Sequence, residues 1–82
     1  MQTVRVRLFA RFRDVFGAEV IDVEVAERAT VKELRDCLAV LKPEIAVLLV
    51  RSQIAVNSEF ADDSTGISHM DEIAILPPVS GG

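Results

Sequence analysis

Glu72-Ile73-Ala74-Ile75-Leu76 is the stretch on which the fold turns. Beyond Glu72 it is wholly apolar, so both faces of an extended chain are apolar here. That suits a strand lying centrally in a sheet. Parity sends Ile73 and Ile75 to one side and Ala74 and Leu76 to the other. Pro77 and Pro78 follow directly; with no backbone N–H groups they cannot continue the ladder. A central last strand needs neighbours on both edges, and the rest of the chain must supply them.

Working outward from it, Val4, Val6 and Leu8 alternate with Arg5, Arg7 and Phe9, the period-2 pattern of a half-buried strand. Ile21, Val23 and Val25 alternate with Asp22 and Glu24 in the same way. If these two strands are antiparallel neighbours, Arg5 and Arg7 face Asp22 and Glu24 across the outer surface. Between them, Ala10 to Phe16 shifts to helical spacing, with Phe12, Val15 and Phe16 on one side and Gly17 as a C-terminal stop. Ile54-Ala55-Val56 reads as a short strand followed by a polar turn at Asn57-Ser58-Glu59.

Thr30-Val31-Lys32-Glu33 opens the main helix. Thr30 caps it while Glu33, three residues on, is placed to reach back to the Thr30 N–H. Val31, Leu34, Leu38 and Leu41 recur at helical spacing and form the face packed on the sheet. Cys37 lies near that stripe and reads as a small buried hydrophobe. Pro43 ends the helix and starts a short second one, whose apolar side is Ile45, Leu48 and Leu49. Asp62 to Gly66 is a surface loop of turn-forming residues. The order strand, strand, helix, strand, strand predicts an α+β roll: a mixed sheet with one main helix across one face.

Size and charge narrow the function classes. The chain has 82 residues, 50% of them hydrophobic, which is the balance of an ordinary globular domain. There is room for one domain, so an enzyme with its own cofactor-binding lobe is excluded. Thirteen acidic residues against nine basic leave a net charge of −4, the wrong sign for a nucleic-acid binder. No run reaches the roughly 18 apolar residues that a membrane span requires. The start, Met1-Gln2-Thr3-Val4-Arg5, lacks the pattern of a signal peptide. One cysteine excludes an internal disulfide, and a cytoplasmic location is the simplest expectation.

The chain divides into a domain over residues 1–76 and an extended tail over 77–82, Pro77-Pro78-Val79-Ser80-Gly81-Gly82. The two prolines hold the exit extended. The two glycines carry no Cβ, so the end of the chain fits a channel too narrow for any side chain. Six extended residues span about 20 Å, enough to reach into a partner while the domain stays outside.

That ending, together with Phe9-Ala10-Arg11-Phe12-Arg13 and Thr30-Val31-Lys32-Glu33-Leu34, resembles the small subunits of molybdopterin synthase, ubiquitin-like sulfur carriers of the β-grasp fold. Ser68-His69-Met70-Asp71 departs from the glycine turn that members often place before the last strand. The resemblance implies a roll with a flexible Gly-Gly tail, and a carrier cycle. An adenylyltransferase related to ubiquitin-activating enzymes uses ATP to adenylylate the Gly82 carboxylate. A sulfur donor then displaces AMP to leave a thiocarboxylate. The tail enters the large synthase subunit, giving a heterotetramer, and sulfur passes to a cyclic pyranopterin precursor. Gly82 carries the reacting atoms and Gly81 gives clearance; acid–base groups belong to the partner, and no cofactor or metal is bound. Sister carriers serving thiamine thiazole, tRNA thiolation or cysteine synthesis share the Gly-Gly chemistry. A ubiquitin-like binding module or protein modifier is the reading from a different class.

For docking, parity places Phe9 and Leu76 on the outward face of the sheet, and Phe60 follows a turn toward that same surface. With Pro77, Pro78, Val79 and Ser80 they make the expected partner-binding set, since exposed large apolar groups mark interfaces. His69 lacks a Ser–His–Asp setting and reads as a solvated turn residue. Asp62-Asp63 and Asp71-Glu72 lack the spacing of a calcium loop and read as solvated loop charge. No glycine-rich phosphate loop is present, so ATP belongs to the activating enzyme.

Overall fold

A computed structural model describes residues 1–78. Strand β1 (Gln2–Leu8) buries every second residue: Gln2, Val4, Val6 and Leu8 point inward and Thr3, Arg5 and Arg7 outward. Helix α1 (Ala10–Phe16) buries Phe12 and stops at Gly17, whose φ of 72° is the left-handed conformation that glycine adopts without a Cβ clash. Strand β2 (Val20–Val25) buries Val23 and Val25. Helix α2 (Val31–Leu41) buries Val31, Leu34 and Leu38. A 3₁₀ turn (Pro43–Ile45) with proline in its first turn leads into α3 (Ala46–Arg51). Strands β3 (Gln53–Val56), β4 (Glu59–Ala61) and β5 (Glu72–Leu76) complete the chain.

The sheet order is β2-β1-β5-β3-β4. β5 is the central strand, parallel to β1 and antiparallel to β3, while the other pairs are antiparallel. The mixed sheet with α2 across one face is the β-grasp roll that the resemblance implies. Between sheet and helices lie Val4, Val6, Leu8, Phe12, Leu34, Leu38, Ile54 and Ile75, each at most 2% exposed. Burial of one such side chain contributes roughly 1.5–3 kcal/mol, so this layer supplies most of the drive to fold.

Five expectations need correction. The sheet has a fifth strand, β4, where sequence reading gave only a turn and a loop. Asn57 and Ser58 both have positive φ, 53° and 71°, and make a two-residue hairpin turn that returns the chain along β3. Arg5 does pair with Asp22 at 3.4 Å, but the register sets Arg7 opposite Val20 and Glu24 opposite Thr3. Leu41 is 56% exposed because the end of α2 lies over the edge strand β2, where no further strand covers it. Cys37 is half-buried against the core rather than enclosed by it.

The fifth correction concerns the cap of α2. The Glu33 N–H donates to Thr30 Oγ1 at 3.4 Å, as expected, but the Glu33 carboxylate meets the Thr30 hydroxyl rather than its N–H. The other first-turn N–H groups are satisfied by the loop after β4. Val31 N–H donates to the Thr65 carbonyl (2.9 Å) and Lys32 N–H to that of Asp63 (3.1 Å). Arg35 then ties this loop to α3, with its Nε 2.9 Å from Asp63 Oδ1 and an Nη donating to the Leu49 carbonyl.

Candidate functional site

The outward face of the sheet is assembled by parity and register. Reading across the strands, Val20 of β2 faces Arg7 of β1, Arg7 faces Ala74 of β5, Ala74 faces Ala55 of β3, and Ala55 faces Phe60 of β4. Phe60 is 69% exposed on the edge strand. The two alanines at the centre of the row leave a low floor between Phe60 and the Arg7 stem. Sequence reading missed Ala55 and Val20 as parts of this face. The parity signal was present in both, but neither strand's neighbour was known.

One step closer to the tail, the register that sets Leu8 against Ile75 brings Phe9 level with Leu76. Phe9 keeps extended backbone (φ −130°, ψ 152°) although it has left β1 and stands as the residue before α1. It is 38% exposed. Ala10, at φ 51°, then turns the chain sharply into the helix. Leu76 is half-buried beside Gln53, its partner on β3, and Pro77 and Pro78 are half-buried as they leave the sheet. The structure therefore brings Phe9 and Leu76 together at the root of the tail, with Phe60 two strands away on the same face. Val79, Ser80, Gly81 and Gly82 lie outside the described residues.

The titratable groups singled out from the sequence have structural work. Asp62 Oδ1 accepts from Ser64 Oγ (2.7 Å), Thr65 Oγ1 (3.2 Å) and Ser64 N–H (3.2 Å), and these bonds, led by that of the Ser64 hydroxyl, hold its carboxyl below the ordinary value of 3.8. Asp63 pairs with Arg35. Asp71 accepts from Ser68 N–H (2.8 Å) and Asn57 Nδ2 (3.0 Å), closing the turn that replaces glycine before β5. His69 is exposed and is held by its backbone N–H. Among the described residues no three His, Cys, Asp or Glu side chains converge as a metal set, and no helix is long and apolar enough to cross a membrane. What this face offers is a surface: a shallow, partly apolar sheet with the chain's exit at one end.

Comparison with known proteins follows that geometry. The model of the ThiS family matches residues 6–82. Over 81 residues the chain is 37% identical to a molybdopterin synthase sulfur carrier subunit of Dictyostelium discoideum, covering 95% of this chain and 94% of that protein. Among solved structures, small archaeal modifier protein 1 (SAMP1) of Haloferax volcanii is similar with a TM-score of 0.80 and 28% identity, covering 98% of this chain and 99% of that one. A chain in the complex of subunits 1 and 2 of the molybdopterin-converting factor of Helicobacter pylori is similar at a TM-score of 0.67 and 29% identity. That match covers 99% of this chain and 100% of the other.

Proposed function

The chain belongs to the ThiS family, and from that premise we propose that it is a sulfur carrier of molybdenum cofactor biosynthesis, the sulfur-donating small subunit of a molybdopterin synthase. The observation that carries this reading is the exit of the chain. The central strand ends at Leu76, beside Phe9 on the outward face, and hands directly to Pro77-Pro78 and the Gly-Gly end. A partner seated on that face receives the tail without any rearrangement of the domain.

The chemistry runs through Gly82. Its carboxylate is a poor electrophile until an oxygen becomes part of a leaving group. In the activating enzyme, a ubiquitin-activating-like adenylyltransferase, that oxygen attacks the α-phosphorus of ATP and pyrophosphate departs. Sulfide released from a sulfur donor then attacks the acyl carbon and AMP leaves, giving the thiocarboxylate, a soft nucleophile that needs no side chain from this domain. In the large subunit of a heterotetramer the sulfur passes to a cyclic pyranopterin precursor, and a second charged carrier completes the dithiolene. Gly81 gives the channel clearance, the acid–base groups are the partner's, and the cycle runs in the cytoplasm.

The likeness to an archaeal modifier protein favours a second reading, in which the activated Gly82 carbonyl is captured by a lysine amine to form an isopeptide bond. Intact mass after incubation with an activating enzyme, ATP and a sulfur source separates the two. A shift equal to one oxygen replaced by sulfur, located on Gly82 by fragmentation, supports the carrier. No shift, with a ladder of lysine adducts in its place, supports the modifier.

A further inference from the structure

The other long edge of the sheet carries an unused pairing site. β2 is an edge strand of six residues, twice the length of β4 at the opposite edge. The Leu8 N–H donates to the Glu19 carbonyl at 2.8 Å, just before β2 begins. Antiparallel pairs alternate, so the register that sets Val6, Val4 and Gln2 against Ile21, Val23 and Val25 turns those three β2 residues toward β1. The N–H and C=O groups of Val20, Asp22 and Glu24 then point away from the sheet, and among the described residues no turn or loop bonds to them.

Beside this edge runs a groove lined by Asp22, Val23 and Glu24 on β2 and Asp36, Cys37, Val40 and Leu41 on α2. Val40 is 79% exposed and Leu41 56%, so the helical wall is apolar and uncovered apart from Asp36, which pairs with Lys32 of its own helix at 3.3 Å. Asp22 and Glu24 project to the outer side of the sheet. Asp22 holds Arg5 only in a 3.4 Å pair between exposed side chains, which water weakens, and Glu24 has no ion pair among the described residues.

The geometry points to the β2 edge as a docking site for an extended segment of a partner protein in which basic and apolar residues alternate. Such a segment adds as a sixth strand. Its backbone meets the free groups of Val20, Asp22 and Glu24, and pleating sends alternate side chains to opposite faces. One set lies over Cys37, Val40 and Leu41 and must be apolar. The other set lies beside Asp22 and Glu24 and must be cationic. A second copy of this chain fits poorly: the two self-pairing registers that use most of β2 set Asp22 against Asp22 or Asp22 against Glu24, and like charges directly opposed destabilise a strand pair. The site is separate from the tail and from the Phe9–Leu76 surface.

The test uses the full chain and the acetylated, amidated hexapeptide Lys-Val-Lys-Ile-Arg-Val. Titration followed by amide NMR gives saturable shifts along β2 and at Cys37, Val40 and Leu41, with slowed exchange of the Val20, Asp22 and Glu24 amides. Reversing the edge charges (Asp22→Lys with Glu24→Lys) weakens binding by about tenfold or more, equal to about 1.4 kcal/mol. Val40→Ser, at a site exposed enough to leave folding intact, weakens it as well. A peptide N-methylated at the backbone of both its second lysine and its isoleucine loses most affinity, since one of these two adjacent N–H groups faces β2 whichever way the added strand runs. No saturable binding, shifts confined to the Phe60 face, or equal binding of the N-methylated peptide overturns the inference. Self-association of the free protein that protects the same amides also overturns it, assigning the edge to a second copy.

Discussion

Gln2 and His69, 67 positions apart, are joined by a hydrogen bond in which the His69 backbone N–H donates to Gln2 Oε1 at 2.9 Å. The other end of the same amide lies within bonding distance of the carbonyls of Ala26 (3.1 Å), Glu27 (3.0 Å) and Ile67 (3.2 Å). One inward-facing polar side chain, 9% exposed, thus pins the start of β1, the exit of β2 and the approach to β5.

Gln2→Ala leaves those groups with no partner in a buried setting. The expected loss is about 1–3 kcal/mol of unfolding free energy, read from the midpoint of urea denaturation. Gln2→Glu destabilises further at neutral pH, because a carboxylate has no N–H to offer three carbonyls. An unchanged midpoint in both variants would show that water replaces the amide without cost.

Phe60→Asp separates docking from folding. Phe60 stands 69% exposed on an edge strand, so stability stays within about 0.5 kcal/mol, while affinity for the large subunit falls in titration calorimetry. Phe9→Asp, nearer the tail, weakens the same interaction. Undiminished affinity for either variant removes that residue from the interface.

Deleting Gly82 is expected to abolish sulfur transfer and leave the thermal midpoint unchanged, since the buried core of the described residues runs from Val4 to Ile75. Gly81→Val retains the terminal carboxylate but blocks turnover by adding a branched side chain where clearance is needed. A large loss of stability in the deletion, or normal turnover in Gly81→Val, contradicts the assigned roles.

Asp62 gives the fold an acid-sensitive loop. Its carboxyl is held below 3.8 by the Ser64 and Thr65 hydroxyls, so the native state favours the ionised form. The stabilisation is fully present above 3.8 and is lost as the pH falls through the lower native value. Asp62→Asn flattens the acid limb of a stability-against-pH curve there. A parallel limb in wild type and variant would assign the acid loss to other carboxylates.

Much of this architecture is legible in the sequence because the long elements repeat their pattern. β1, β2 and α2 each carry enough alternating or helical positions to fix which side is inward, and β5 announces its central place by being apolar on both faces. β4 escaped because three residues contain no period to read; the signal was the Asn57-Ser58 pair, two residues tolerant of positive φ at the hairpin turn. The Arg7–Val20 pairing was out of reach because α1 separates the two strands, so no tight turn fixes their register. The outward surface near the tail followed from parity alone. The groove along β2 did not, since it depends on where α2 ends relative to the sheet's edge.

The placement of β5 between β1 and β3 also bears on when the protein comes to exist during its synthesis. The strands that flank it have no direct pairing with one another, so a chain emerging from the ribosome without Glu72–Leu76 has a sheet split down the middle. Its parallel partner, β1, was made first and must wait for the last strand, a long-range closure of the kind that slows folding. The outward face of the sheet and the residues that follow β5 are therefore completed together. A product terminated before Glu72 has neither the assembled face nor the Gly81-Gly82 end, and so lacks both features on which the proposed partner complex depends.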